Sequence, residues 1–173
     1  MGPPAMAADS QGRVYLAAQY DVVNFITPSA YVVRVNSLGS ALDFTTSIIG
    51  TPISIALDPS GSAYISGTAV NTEGAGIGFV AKVASDGTAG YYTVLPDGLS
   101  GPVAVDANGN VVLFGGFDPG IVQRINSNGA FVRSSHRSPC GRASTPQSLR
   151  LWLPASTPYP ENRLSWDPAD TGN

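Results

Sequence analysis

The sequence predicts an all-β protein built from three copies of a unit of four short strands. The first observation is a turn motif, Asp-x-x-Gly, whose aspartates are 49 and 48 residues apart and which precedes a short apolar strand each time. The second is a hairpin motif that follows each turn motif in the same order. Residues 1–134 also lack a helical period. A strand-built repeat of this length indicates a propeller or a solenoid, in which each unit buries its apolar face against its neighbours.

The turn motifs begin with aspartate and end with glycine. They are Asp9–Gly12, Asp58–Gly61 and Asp106–Gly109. Aspartate at the first position of such a turn accepts backbone hydrogen bonds, and glycine adopts a positive φ without strain. The sequence therefore predicts a structural, turn-forming role for six residues: Asp9, Gly12, Asp58, Gly61, Asp106 and Gly109. The hairpin motifs begin with a basic residue and end with glycine; they are Arg34–Gly39, Lys82–Gly87 and Arg124–Gly129.

The second copy shows the strand pattern most plainly. Apolar residues alternate with small ones in Ile53–Leu57, which is typical of a strand with one buried face. The strands predicted for this copy are Ile53–Leu57, Ser62–Thr68, Gly78–Ala84 and Gly90–Leu95. Because Val70–Ile77 is Gly-rich and has no period, it is predicted to be a loop. The corresponding connections, Tyr20–Ser29 and Gly116–Pro119, differ in length, so we expect the variable loops on one face.

Composition excludes several classes of function. Charged residues make up 12% of the chain, the net charge is −3, and Lys82 is the single lysine, so no basic surface for nucleic acid is predicted. No apolar run reaches the roughly 18 residues of a membrane span. The first residues have neither the basic nor the apolar region of a signal peptide. Since the repeat begins almost at once, we expect a piece of a longer array.

The chain changes character after residue 134. Residues 135–173 contain six of the 14 prolines, both tryptophans, His136 and Cys140, and neither motif. One interpretation is a Pro-rich linker or disordered tail, and the other is a reading frame lost near residue 135. Both predict poor packing. The predicted organisation is three repeats, about 1–49, 50–99 and 100–134, followed by a poorly ordered tail at 135–173.

Two segments carry a family resemblance. Tyr31–Thr46 and Ile55–Thr68 resemble the bacterial SBBP repeat of β-propellers, and Gly78–Val83 matches the hairpin part of its pattern. The turn motif is also similar to that of NHL-type propellers, although Arg13 stands where the third copy has Asn110. The resemblance implies four-stranded blades, a secreted or cell-surface setting, and a scaffold or binding role toward a protein or carbohydrate ligand. It implies no shared catalytic residues.

The predicted fold class is therefore a partial, open β-propeller of about three four-stranded antiparallel blades with an irregular C-terminal tail. Propellers close with about four to eight blades, which hides their sheet edges. Three blades leave both end blades exposed, so we expect a tendency to self-associate through the open blade edges.

Candidate catalytic sets are sparse. The repeats contain neither His nor Cys, which excludes nucleophile–histidine mechanisms there. Calcium would suit the loop oxygens, but a calcium loop needs several acidic ligands and each turn motif supplies one, so we expect no metal or other cofactor. The leading hypothesis is a non-enzymatic scaffold or binding segment. The alternative is part of a propeller enzyme of the lyase or lactonase type, with a metal held by the loop carboxylates Asp21, Glu73 and Asp118.

Two further rows of residues have a structural and a functional interpretation. Arg34, Lys82 and Arg124 occupy one equivalent position and either form a basic ring for an anionic ligand or, as we favour, point outward with their stems over apolar neighbours. The strand tyrosines are interpreted as half-buried packing residues rather than ligand contacts. They are Tyr15, Tyr64, Tyr91 and Tyr92.

Overall fold

A computed structural model describes residues 3–21, 29–95, 100–115 and 121–136, with only the backbone at 21 and at 133–136. These residues form three four-stranded antiparallel sheets. The described residues contain no helix, and therefore no helix that is long and apolar enough to cross a membrane.

Each sheet contains four strands that are consecutive in the chain and paired in chain order. Sheet 1 consists of β1 (Ala5–Ala8), β2 (Val14–Asp21), β3 (Ser29–Val35) and β4 (Leu42–Ile49). Sheet 2 consists of β5 (Thr51–Leu57), β6 (Ala63–Val70), β7 (Gly76–Val83) and β8 (Ala89–Val94). Sheet 3 consists of β9 (Val103–Val105), β10 (Val111–Gly115), β11 (Ile121–Ile125) and β12 (Phe131–His136).

The predicted all-β class and the four strands per copy are confirmed, and one predicted loop is wrong. Strands β6 and β7 extend into Val70–Ile77 and leave a tight turn at 71–75. This turn forms because the Asn71 side chain accepts hydrogen bonds from the backbone N–H groups of Glu73 and Ala75. The variable connections at 22–28 and 116–120 lie outside the described residues. Strand β12 ends two residues after the expected boundary, and the tail beyond it is also outside.

The sheets stack face to face in chain order. Their first strands lie side by side, with β1 next to β5 and β5 next to β9. Sheet 2 is buried on both faces, so all residues from Ala63 to Gly67 are buried. One core, between sheets 1 and 2, includes Val32, Ile65 and Phe79. The other, between sheets 2 and 3, includes residues such as Val80 and Leu113.

Aromatic side chains of one sheet lie on glycine turns of the next. Phe44 of sheet 1 covers Gly87, and Tyr91 of sheet 2 covers Gly129 in the same way. A Cβ atom at Gly87 would lie 2.7 Å from Phe44 Cγ. The hydroxyl of Thr46 donates to the carbonyl of the same glycine, and Thr93 repeats this contact at Gly129. The two interfaces between sheets are thus copies of one another.

Tyrosine hydroxyls form a second line of contacts between sheets. Tyr15 is fully buried and its hydroxyl donates to the carbonyl oxygen of Gly61, across the first interface, at 2.9 Å. Tyr64, at the equivalent position in sheet 2, is also fully buried and points toward Gly109 of sheet 3. Tyr15 and Tyr64 therefore pack inside the molecule, as the sequence predicts, but they are fully buried rather than half-buried. Tyr92 matches the half-buried prediction, since it is 41% exposed and stacks on Phe79.

Gly87→Ala and Gly39→Ala provide a matched test of the stacking contact. Both glycines end a hairpin motif with positive φ, 89° and 70°, but nothing lies within 4 Å of a Cβ at Gly39. We expect Gly39→Ala to cost about 1–2 kcal/mol from backbone strain alone. Gly87→Ala should cost about 1–3 kcal/mol more because Phe44 must move. Equal losses in urea unfolding would show that the aromatic contact contributes nothing.

Tyr15→Phe tests the hydroxyl contact, with Tyr91→Phe as its control. Removing the Tyr15 hydroxyl leaves the buried carbonyl of Gly61 without its donor, so we expect a loss of about 1 kcal/mol. The Tyr91 hydroxyl is buried and has no hydrogen-bond partner among the described residues, so its removal should be neutral or stabilising. Thermal unfolding of both variants measures the difference, and a Tyr91→Phe variant less stable than Tyr15→Phe contradicts this account.

Candidate functional site

The turn motifs gather at one end of the stacked sheets. Each turn follows the first strand of its sheet, and these first strands are neighbours, so the three turns lie close together. They line an open depression of about 480 Å³. Its lining comes from all three sheets: Ala8, Asp9, Ser10, Gln11, Arg13, Leu57, Asp58, Pro59, Ser60, Gly61, Val105 and Ala107. The repeated turn motif therefore contributes directly to this concave surface.

The three motif aspartates have the same hydrogen-bond pattern. In each, the Oδ1 atom accepts from the backbone N–H groups two and four residues later, at 2.8–3.0 Å. The donors are Gln11 and Arg13 for Asp9, Ser60 and Ser62 for Asp58, and Asn108 and Asn110 for Asp106. The glycine N–H in turn donates to the aspartate carbonyl at 3.0–3.1 Å, and the glycine φ is 75–81°. Both ends of the motif thus build the turn.

The second carboxylate oxygen is engaged as well, by a different donor in each copy. Asp9 Oδ2 accepts from the guanidinium of Arg13 at 2.6 Å. Asp58 Oδ2 accepts from the Tyr64 hydroxyl at 3.0 Å. Asp106 Oδ2 accepts from the side-chain amide of Asn110 at 2.8 Å. No motif aspartate is therefore left with an oxygen that lacks a donor, which limits what the depression offers to a cation or a substrate.

These contacts lower the pKa of all three carboxyl groups. Burial alone would raise the pKa of Asp9 and Asp58, but the hydrogen bonds from their turns, with Arg13 in one and Tyr64 in the other, outweigh it. At Asp106 the hydrogen bonds from Asn110 lower the pKa. A lowered pKa stabilises the fold above the ordinary value of 3.8, and this stabilisation is lost as the pH falls through the folded-state pKa.

Two of the candidate loop carboxylates, Asp21 and Glu73, lie at the other end of the sheets. Glu73 is exposed in the turn between β6 and β7, a connection opposite the aspartate turns because the strands are antiparallel. Asp21 is the last residue of β2 and so reaches the same end, but its side chain and the whole of Asp118 lie outside the description. Within the described part of the chain, no three His, Cys, Asp or Glu residues are grouped so as to hold a metal ion.

The outward-facing interpretation of the basic row is wrong for Arg34. Its side chain is 12% exposed, and its guanidinium pairs with Asp43 at 2.8 Å and donates to the Ser85 carbonyl of sheet 2. Lys82 lies over the Tyr64 ring at 5.1 Å, whereas Arg124 is exposed. The three basic residues therefore lie on the faces that form the interfaces between sheets. Their exposure differs because a following sheet covers Arg34 and Lys82 but not Arg124.

Sequence reasoning missed the hydroxyl of Tyr64 as part of the turn. Tyr15 and Tyr64 both stand six positions after the motif aspartate, and this spacing was visible in the sequence. The third copy has Val112 there, so the pattern occurs only in the two copies whose sheets are covered by a following one.

Asp58→Ala, compared with Asp106→Ala, tests how much the turn stabilises the fold. The Asp58 change removes the acceptor of two backbone N–H groups and of the buried Tyr64 hydroxyl, so we expect a loss of about 1–3 kcal/mol. The Asp106 change leaves no buried tyrosine without an acceptor and should cost less. The free energy of unfolding of Asp58→Ala should also decrease less than that of wild type as the pH is lowered from about 5 to about 2. Chemical unfolding of both variants and wild type across this pH range measures these differences. Equal losses of stability in the two variants, with the same acid sensitivity as wild type, would refute the stabilising role of Asp58.

Comparison with known proteins gives the fold but no relative in sequence. Neither a protein-family model nor a curated protein sequence matches this chain. Among solved structures, it is similar to the β-propeller domain of the Trilobed protease from Pyrococcus furiosus, described as an open velcro topology. The TM-score is 0.51 at 7% identity, over 78% of this chain and 43% of that one.

Two carotenoid-oxygenase structures are also similar. An ACO/RPE65 chimera has a TM-score of 0.50 at 12% identity, over 77% of this chain and 37% of that one. A point mutant of Synechocystis apocarotenoid oxygenase has a TM-score of 0.49 at 12% identity, over 77% and 38%. The chain spans less than half the length of each of these structures. The described part of the chain is thus a partial, open β-propeller, in which each four-stranded antiparallel sheet is one blade.

Proposed function

We propose that this chain is a non-enzymatic β-propeller segment that acts as a scaffold and offers a binding surface to a protein or carbohydrate ligand. The observation that carries the proposal is the complete engagement of the repeated carboxylates in their own turns. A general acid or base must be within hydrogen-bond reach of a substrate proton. An aspartate whose two oxygens already accept from the protein is better suited to holding backbone than to that role.

The depression at the aspartate turns is the surface we assign to binding. Its rim carries the exposed side chains of Ser10, Gln11 and Ser60, which offer neutral hydrogen-bonding groups. Asp9 is paired with Arg13, whereas Asp58 accepts only from neutral donors, so one negative charge beneath the rim has no ion-pair partner among the described residues. A neutral polar rim above such a base favours a ligand with hydroxyl or amide groups, as in a carbohydrate or a protein loop, over an anionic substrate.

The cellular setting that accompanies this proposal is secreted or cell-surface. Its support is the resemblance of Tyr31–Thr46 and Ile55–Thr68 to SBBP repeats. The low charged fraction of 12% is in keeping with it.

Thermal unfolding with and without divalent ions separates this proposal from a metal-dependent propeller enzyme. A site filled at a hundred times its dissociation constant would stabilise the fold by about 2.7 kcal/mol, which raises the Tm by several degrees. We expect Ca²⁺, Mg²⁺, Mn²⁺ and Zn²⁺ each to leave the Tm of the full chain unchanged relative to EDTA.

A matched set of variants identifies the ligands if an ion does raise the Tm. The triple variant Asp21→Asn, Glu73→Gln, Asp118→Asn removes the loop carboxylates. Asp86→Asn is the control, because Asp86 is an exposed hairpin acid whose Oδ1 accepts from Thr88 N–H, a contact that asparagine keeps. A saturable rise that the triple variant loses and the control retains would overturn the non-enzymatic proposal in favour of the loop-carboxylate site.

A further inference from the structure

Sheet 3 exposes the face that sheets 1 and 2 bury. We call the face of a sheet that packs on the following sheet its trailing face. On sheet 3, Val112 is 42% exposed and Phe114 is 50% exposed on this face. The residues equivalent to them in sheet 2, Tyr64 and Ser66, are fully buried. The trailing face of sheet 3 is thus an apolar surface of the kind that is covered elsewhere in the molecule.

Sheet 1 exposes the opposite half of the same interface. We call the face of a sheet that receives the preceding sheet its leading face. On sheet 1, Met6 is 67% exposed and Tyr31 is 38% exposed. Phe79, equivalent to Tyr31, is fully buried in sheet 2, and Ile121 at this position in sheet 3 is 8% exposed. Exposure at this position therefore depends on whether a preceding sheet is present.

The glycine turns of sheet 1 complete this receiving surface. Gly87 and Gly129 are each covered by an aromatic ring of the preceding sheet, whereas nothing lies within 4 Å of a Cβ at Gly39. Gly61 and Gly109 each meet a tyrosine hydroxyl of the preceding sheet, whereas Gly12 has only Ser37 nearby. Sheet 1 thus has the same glycine turns on which a trailing face packs elsewhere in the molecule. Neither an aromatic ring at Gly39 nor a tyrosine hydroxyl at Gly12 lies on them.

We propose that two copies of this chain associate head to tail, with the trailing face of sheet 3 in one copy packed on the leading face of sheet 1 in the other. The argument is continuity with the two interfaces inside the chain. Both are formed by a trailing face on a leading face, with the same aromatic, threonine and tyrosine positions. The exposed faces at the two ends of the described sheets are one of each kind, a trailing face on sheet 3 and a leading face on sheet 1.

Register identifies the contacts that the new interface would repeat. Arg124 is equivalent to Arg34, which donates to the Ser85 carbonyl, and the residue equivalent to Ser85 in sheet 1 is Ser37. Arg124 of one copy would therefore donate to the Ser37 carbonyl of the other. Ser135 is paired with Val122 as Thr46 is paired with Val32, so its position corresponds to the threonines of the internal interfaces.

Two contacts of the internal interfaces have no counterpart here. Val112 stands at the position of Tyr15, whose hydroxyl donates to the Gly61 carbonyl, so the Gly12 carbonyl of the second copy would receive no donor.

The aromatic contact on the glycine turn is also missing. Arg133 is paired with Arg124 as Phe44 is paired with Arg34, so an arginine stands where the internal interfaces have an aromatic ring. The interface between copies should therefore be weaker than those inside the chain, and Val112→Tyr would supply the missing hydroxyl.

Sedimentation velocity of the full chain, up to about 100 µM, tests the proposal. We expect the average mass to rise with concentration for wild type. Phe114→Glu blocks the trailing face and Tyr31→Glu blocks the leading face, so each variant alone should remain a monomer. Their equimolar mixture should form dimers and nothing larger, because only one competent interface exists per pair. Ile53→Glu is the control: Ile53 is 46% exposed but lies on the middle sheet, and association should persist.

Further variants guard against unfolding as the cause of monomers. Met6→Glu blocks the leading face at a more exposed position than Tyr31→Glu and should also abolish association. Val112→Tyr should tighten association by about three- to ten-fold, as expected for one added hydrogen bond. A wild-type chain that is monomeric throughout, a Phe114→Glu variant that associates like wild type, or a mixture that forms no dimer would each overturn the proposal.

Discussion

The close approach of one sheet to the glycine turns of the next is the constraint on which the rest of the structure depends. Phe44 lies on Gly87 and Tyr91 lies on Gly129 at distances that leave no room for a Cβ atom. A larger residue at either turn would displace the ring that lies on it, and the neighbouring core, around Phe79 in one interface and Leu113 in the other, would lose contacts. Glycine is therefore required at these turns for two reasons: it adopts a positive φ without strain, and it has no side chain that would collide with the ring.

The hydrogen bonds that build the turns also determine what chemistry the repeated aspartates retain. In every copy Oδ1 accepts from backbone N–H groups of the turn. Oδ2 accepts from a different side chain in each copy, namely Arg13, Tyr64 or Asn110. The repeated carboxylates stay ionised, because these contacts lower their pKa, but both oxygens of each accept from donors of the protein, and the side chains exposed around the depression are neutral and polar. Depth of burial does not explain this, because Asp106 is exposed and its oxygens are engaged all the same.

Sequence predicted what is local and missed what depends on register between sheets. The aspartate turns and the strands around them follow from four-residue signatures, and the all-β class followed from their repetition. The turn at Asn71–Gly74 has the same form with asparagine in the first position, yet the sequence predicts a loop there because the surrounding residues lack an alternating pattern. The contact between Arg34 and Ser85 spans 51 residues, and no local pattern reports which carbonyl a guanidinium will meet in the next sheet.

The hairpin motifs show which part of a turn the fold requires. Asn36 and Asn126 accept backbone hydrogen bonds from the first position of their turns, but the second copy has Ala84 there, and Asp86 accepts from Thr88 instead. The backbone hydrogen bonds of the Ala84 turn are kept, so glycine and strand register are sufficient for the turn itself. An aspartate contributes most where its second oxygen also accepts from a side chain outside its own turn. In the described part of the chain this condition is met at Asp58, whose carboxylate joins its own turn to the buried tyrosine that faces sheet 3.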